Sequence, residues 1–325
     1  MSDLREQRGA NTLDERAATL LQFPNKLQNI DLTGYMEEQF EVSVRPATSY
    51  RDALIRRVVN RGEGDPNATV LPFNHLRGKF EFRQNEVTVW SGWKGHGKSV
   101  CISQALMAAI QRGKRVFVIS PEFQPDAVLE RMLFQHAKTT EPSVQHINEY
   151  MEFVTERMWL YDVQSSLKPK QVVALCRYAA DKLQADHILI DSLMKCGIAP
   201  DDYGAQKNFV DQVQVVAHNN PTHIHLVAHA KKAGKGDSGG PSGLHDVKGA
   251  SEIADMAENV ITVWRNKDKE KDASKKQDEP DAILTVEAQR NADGWIGSVN
   301  LLFDRESMLF YEPGNAPERS THVSF

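Results

Sequence analysis

GWKGHGKS, residues 92–99, is the stretch from which the chain can be read. Gly92, Gly97, Lys98 and Ser99 fit the spacing G-x-x-x-x-G-K-[ST], with Gly95 inside the same loop. Glycines let backbone N–H groups curl around a β-phosphate without Cβ clashes. A helix beginning at Ser99 adds the positive end of its dipole. Lys98 can reach the β- and γ-phosphates, and the Ser99 hydroxyl can ligate Mg²⁺. ATP, or another NTP or dNTP, with Mg²⁺ is therefore the expected cofactor. A glycine-rich turn with no ligand would leave Lys98 unexplained.

The flanking pattern supplies the right context. VTVW (87–90) reads as a strand before the loop, and an apolar helix runs from Ser99 to about Arg112. Downstream, RVFVIS (115–120), MWLYDV (158–163), HILID (187–191) and HIHLVA (223–228) read as strands, separated by helical stripes such as 125–138 and 168–183. Strands alternating with helices predict an α/β fold, a mostly parallel central sheet with helices on both faces. NVITVW, AILTVEA, IGSVNLLFD and SMLFY follow residue 258 and predict antiparallel strands at the C-terminal edge.

Mg²⁺ wants a carboxylate at a strand end, and Asp191 closes HILID. Hydrolysis needs a carboxylate to activate water. Glu122 lies just past the strand at 115–120, where adjacent parallel strands release their ends on one edge. A surface or helix-start carboxylate is the plainer reading of Glu122. His229 closes the strand HIHLVA and could hydrogen-bond the γ-phosphate region, although a lone histidine is often merely structural.

Composition sets outer bounds. A net charge of −5 gives no general attraction to polyanions, so a nucleic-acid site would have to be a local basic patch. Three cysteines without a CxxC pair support neither a zinc module nor a disulfide framework and fit a reducing cytoplasm. No apolar run reaches the ~18 residues a membrane span needs, and the polar MSDLREQRGANTLDER start does not read as a signal peptide. No membrane role is expected.

The order GWKGHGKS, SPEF, HILIDSL, HLVAHAKK, DVKGASEIADMAENV and AQRN resembles the RecA-type motor of the DnaB family of replicative hexameric helicases. The flavour is that of the phage primase–helicase and mitochondrial Twinkle branch. The resemblance spans roughly residues 72–312. It implies a P-loop NTPase whose Lys98 and Ser99 bind nucleotide and Mg²⁺, with Asp191 as the Walker B aspartate. Glu122 matches the family's catalytic glutamate, and His229 the position linking γ-phosphate to the DNA loops. Arg290 falls where the family has an arginine finger that reaches the adjacent subunit's nucleotide. Where the family usually has Lys two residues before the finger, this chain has Ala288. Weakened hydrolysis, or compensation by a residue such as Lys94, follows from that departure.

The resemblance further implies single-stranded DNA as partner. Lys231, Lys232 and Lys235, in KKAGKGDSGG after His229, are candidates for the DNA backbone, with Lys195 in a second loop. Residues 1–48 read as a flexible N-terminal arm. Residues 49–71 carry a linker helix, with Leu54, Ile55, Val58 and Val59 at helical spacing; packing on its own domain is the plainer reading, and the resemblance implies that it docks on a neighbouring subunit of a hexamer. Residues 72–312 form the motor, and 313–325 a disordered tail. No primase is encoded, so a separate primase or DNA polymerase partner is expected, as for a phage protein acting in a bacterial cytoplasm. A recombinase-like or regulatory RecA-fold ATPase that binds DNA without unwinding is the alternative.

Overall fold

The computed structural model describes residues 31–36, 46–59, 65, 67–162, 167–229, 251–271, 278–291 and 294–318. Nine strands form one sheet: β1 Glu86–Ser91, β2 Val116–Ile119, β3 Met158–Leu160, β4 His187–Ile190, β5 His223–Val227, β6 Asn259–Arg265, β7 Ala282–Gln289, β8 Gly297–Asp304 and β9 Leu309–Tyr311. Their order across the sheet is β3-β2-β4-β5-β1-β6-β7-β8-β9. The strands from β3 to β6 pair in parallel, and β7, β8 and β9 continue antiparallel. Every residue of β1, β2, β4 and β5 is buried, as expected for parallel strands covered on both faces.

The helices are α1 Arg51–Val59, α2 Lys98–Gln111, α3 Pro125–Ala137, α4 Val144–Val154, α5 Pro169–Asp181, α6 Tyr203–Asn219, α7 Ser251–Met256 and α8 Lys267–Lys271. Two apolar cores result, one on each face of the sheet. On one face, Ile102, Leu106 and Ile110 of α2 meet Met132 of α3 and Tyr150 of α4. On the other, Val172 and Leu175 of α5 meet Phe209 and Val213 of α6 and Ile253 of α7. The segment before β1 closes the first core with Leu71, Phe73, Leu76, Phe80 and Phe82, each 1% exposed or less. Burying side chains of this size contributes about 1.5–3 kcal/mol each.

α1 stands apart from both cores. Leu54, Ile55 and Val58 are 62%, 42% and 63% exposed. Just before it, Ser49 lies in a 3₁₀ turn (Ala47–Tyr50) and donates to Pro46 O at 2.8 Å. Further upstream, Tyr35 donates to Asp181 Oδ2 on α5 at 2.8 Å, and Arg177 donates to Tyr35 O at 3.0 Å.

A chain of buried histidines crosses β4, β5 and β1. Trp90 Nε1–H donates to His225 Nδ1 at 3.1 Å, which leaves the His225 proton on Nε2, facing His187 Nδ1 at 3.1 Å. His187 then donates from Nε2 to Thr69 Oγ1 at 2.8 Å. Beside them, His223 donates from Nδ1 to Arg83 O at 2.6 Å and accepts from the Thr88 hydroxyl at 2.9 Å. Each ring is therefore held neutral in one tautomer.

Among the described residues, no helix is long and apolar enough to cross a membrane.

Candidate functional site

The site is assembled at the carboxyl edge of the parallel strands. β2, β4, β5 and β1 are neighbours, so Glu122, Asp191, His229 and the glycine loop emerge side by side. The loop turns through positive φ at Gly92 (137°), Gly95 (77°) and Gly97 (90°). A Cβ at Gly92 would overlap the Val263 carbonyl, and one at Gly97 would lie 2.8 Å from the Phe310 ring. Gly97 caps α2, whose first turn carries Lys98 and Ser99. The loop thus forms a cradle of backbone N–H groups at a helix start, the geometry that holds anions.

Lys98 is buried and folds back, donating to Gly92 O at 2.8 Å and Trp93 O at 3.0 Å. Burial pushes its pKa down to about 8, against the pull of Asp191 and Glu122. Ser99 Oγ donates to Asp191 Oδ2 at 3.4 Å. Burial, then Glu122, lifts the Asp191 carboxyl to about 6, while Arg131, Lys98 and His229 act the other way. Ser192 Oγ donates to Glu122 Oε2 at 3.4 Å, and His229 Nε2 lies 3.8 Å from the same oxygen. The nearness of His229, opposed by partial burial, and the charge on Lys94 hold Glu122 below the ordinary carboxylate range. His229 Nδ1 is buried with no hydrogen-bond partner among the described residues.

These residues suit a magnesium–triphosphate. Among the described residues no group of three or more His, Cys, Asp or Glu forms a metal cage. Ser99 and Asp191 present two oxygens together, and Mg²⁺ is commonly held by one or two protein oxygens plus phosphates.

Arg131 of α3 was missed in the sequence. Its guanidinium lies 4.9 Å from the Phe123 ring centre and is the foremost cation favouring ionised Asp191. The signal was an arginine set within the apolar stripe 125–138. A second unforeseen group flanks the loop. Arg265 N–H donates to His96 Nδ1 at 3.0 Å, its guanidinium pairs with Glu270, and it lies 5.8 Å from the Phe303 ring centre.

The other expected residues lie elsewhere. Lys195 is exposed on a 3₁₀ turn (Leu193–Lys195) directly after Asp191, at the same sheet edge. Lys231, Lys232 and Lys235 lie outside the described residues. Arg290 follows antiparallel β7, whose Gln289 pairs with Asn259 at the start of β6. It is exposed at the edge of the sheet opposite the glycine loop. The length of a six-residue strand, roughly 20 Å, separates the two edges. Ala288 packs against the second core.

With this geometry in place, the comparisons with known proteins are direct. Residues 74–312 match the model of the DnaB-like helicase C-terminal domain, and the chain belongs to that family. It is a DnaB-like helicase C-terminal domain of RecA-like fold. It is similar to the solved structure described as a DnaB-like replicative helicase and its interactions with primase. There the TM-score is 0.67 at 12% identity, covering 83% of this chain and 67% of that one. A second solved structure, described as an ATPase domain, is similar at TM-score 0.68 and 14% identity over 82% of this chain and 99% of that one. A KaiC-like protein, PH0186 from Pyrococcus horikoshii OT3, shares the fold at TM-score 0.53 and 12% identity over 75% and 96%. No curated protein matches.

Proposed function

We propose that the chain is the motor of a replicative-type DNA helicase, a hexameric ring that couples NTP hydrolysis to movement on single-stranded DNA and opening of duplex. The observation that carries this reading is the position of Arg290. It stands exposed on the edge away from the loop of its own chain, which supports a role toward a neighbour's nucleotide. Charge supports the same reading. Around the loop, Lys98, Arg131, Lys94 and Lys267 stand near Asp191 and Glu122, with Arg265 paired to Glu270. A guanidinium brought from outside adds to that charge in the transition state, worth ~10³–10⁵ in rate where an arginine finger acts.

In this reading the cradle of Gly92, Gly95 and Gly97 and the ammonium of Lys98 hold the phosphates, and Ser99 and Asp191 would hold Mg²⁺. The metal, when bound, neutralises phosphate charge and orients the triphosphate. Glu122 accepts a proton from the attacking water, and His229, beside Glu122, links that event to the segment that follows it. With Ala288 where the family has a lysine, either hydrolysis is weakened or Lys94 takes part of that role. Lys195, with Lys231, Lys232 and Lys235, grips the DNA backbone. α1, in the 49–71 linker, docks on the next subunit, residues 72–312 are the motor, and 1–48 and 313–325 are an arm and a tail. A solved relative is described with primase, which supports a separate primase or polymerase as partner. A phage origin in the primase–helicase and Twinkle branch, and action in a host cytoplasm, complete the proposal.

Fold likeness to a KaiC-like protein favours, as a second reading, a RecA-fold ATPase that does not unwind. Forked-duplex unwinding separates the two: wild type opens the fork with NTP and Lys98→Ala does not. Absence of unwinding beside intact DNA-stimulated turnover selects the second reading. Mixing wild-type chains with Arg290→Ala tests the shared site, because turnover then falls out of proportion to the variant fraction. A strictly proportional fall ends the case for composite sites.

A further inference from the structure

Arg290 is held at both shoulders, while among the described residues no hydrogen bond or ion pair holds its own side chain. On one side Gln289, 7% exposed, donates from Nε2 to Lys79 O at 3.0 Å and to Trp295 O at 3.4 Å. Its Oε1 accepts from Arg83 Nη1 at 3.3 Å. On the other side Asn291 donates from Nδ2 to Glu86 Oε1 at 2.8 Å. The second oxygen of Glu86 accepts from Asn259 Nδ2 at 2.9 Å. The Arg290 backbone N–H donates to Glu258 O at 2.9 Å. Among the described residues no hydrogen bond or ion pair engages its guanidinium.

Glu86 is the unexpected member. It is 3% exposed, on the first residue of β1, the strand whose other end becomes the glycine loop. Burying a carboxylate is unfavourable unless donors meet it, and two amides meet this one from two other elements. A glutamate at this position gives β1 no apolar packing. What it does give is an acceptor for the residue next to Arg290, 205 positions away in the chain. A backbone tether at Glu258 and side-chain tethers on either flank together define where the base of the arginine sits, while its tip remains available.

We infer that Glu86 and Asn291 form a clamp that positions Arg290 for the neighbouring subunit's nucleotide. Both are positioning residues and neither touches nucleotide. The inference rests on the reading of Arg290 as a donor in trans and adds the device that aims it. Misplacement of a catalytic group by about 1 Å costs about 10²-fold in rate, so a loosened clamp is expected to lower kcat by that order and leave the KM for NTP unchanged.

The test uses full-length chains mixed before assembly. Asn291→Ala keeps its own glycine loop but offers a loosened finger. Lys98→Ala loses its own loop but offers an intact finger. Mixed together they should turn over more NTP than the sum of the two alone, since the second completes the site of the first. The same mixture with Arg290→Ala in place of Asn291→Ala is run beside it. Gain with Arg290→Ala but none with Asn291→Ala overturns the clamp and leaves the finger reading standing. No gain in either mixture removes the finger reading and the clamp with it. Reciprocal exchange gives a second arm that a folding defect would not mimic. Asn291→Asp sets two carboxylates face to face and should lose kcat, and adding Glu86→Gln restores a donor–acceptor pair and should recover it. Wild-type kcat in Asn291→Ala, or no recovery in the exchanged pair, overturns the proposal.

Discussion

Asp191 and Lys98 both sit in the site against their ordinary charge preference, and for the same reason. Each is buried, and water that would solvate its ion is excluded. Asp191 is lifted to about 6, with burial the chief cause. A carboxylate that holds Mg²⁺ must first lose its proton, so proton and metal compete there. The acid limb of kcat/KM against pH should therefore fall near pH 6. Arg131 favours the ionised form, so Arg131→Ala should move that limb to higher pH. The pH dependence of turnover at subsaturating NTP measures this, and an unmoved limb in Arg131→Ala removes the proposed coupling. The glycine loop itself was legible because its chemistry is local, being spacing, missing Cβ atoms and a helix start. Arg131 was not, because its partner is 60 residues away and comes near only after β2 and β4 pair.

At the scale of elements, the buried histidines tie strand pairing to pH. Burial lowers His187 and His223 to about 3, and His225 well below its ordinary value. The folded state thus excludes their protons, whereas the unfolded chain takes them up near 6.5. The contribution of these neutral rings is full above pH 6.5 and is lost progressively as pH falls toward 3. The urea midpoint should accordingly drop between pH 7.5 and pH 5, and a midpoint constant over that range would contradict the tautomer chain described. Element reading from periodicity found all nine strands but missed α4 and the short α7 and α8. Helix α4 is announced by Ser143, whose hydroxyl accepts from His146 N–H while His146 Nδ1 accepts from Ser143 N–H. The usual capping box has Glu or Gln at that third position, and a histidine performing the same exchange hid the signal.

At the scale of the whole molecule, α1 carries three exposed apolar side chains, Leu54, Ile55 and Val58. Replacing Leu54 and Val58 with serine should leave the thermal midpoint of the protomer nearly unchanged, because exposed substitutions usually fall within about 0.5 kcal/mol. The same double variant should lose ring assembly in sedimentation if this face docks on the next subunit, and an intact ring would count against that role. By itself, the sequence determined what lies close along the chain: the phosphate loop, the alternation of helix and strand, and the carboxylates Asp191 and Glu122 past the ends of β4 and β2. Periodicity, glycine and strand termini act over a few residues, so they can be read without coordinates. Only the tertiary structure decided which groups confront one another. It set Arg131 toward Asp191, joined Glu86 to Asn291, and carried Arg290 to the far edge of the sheet. Those outcomes depend on strand order and on β7 running antiparallel to β6, relations between distant segments that no local pattern encodes.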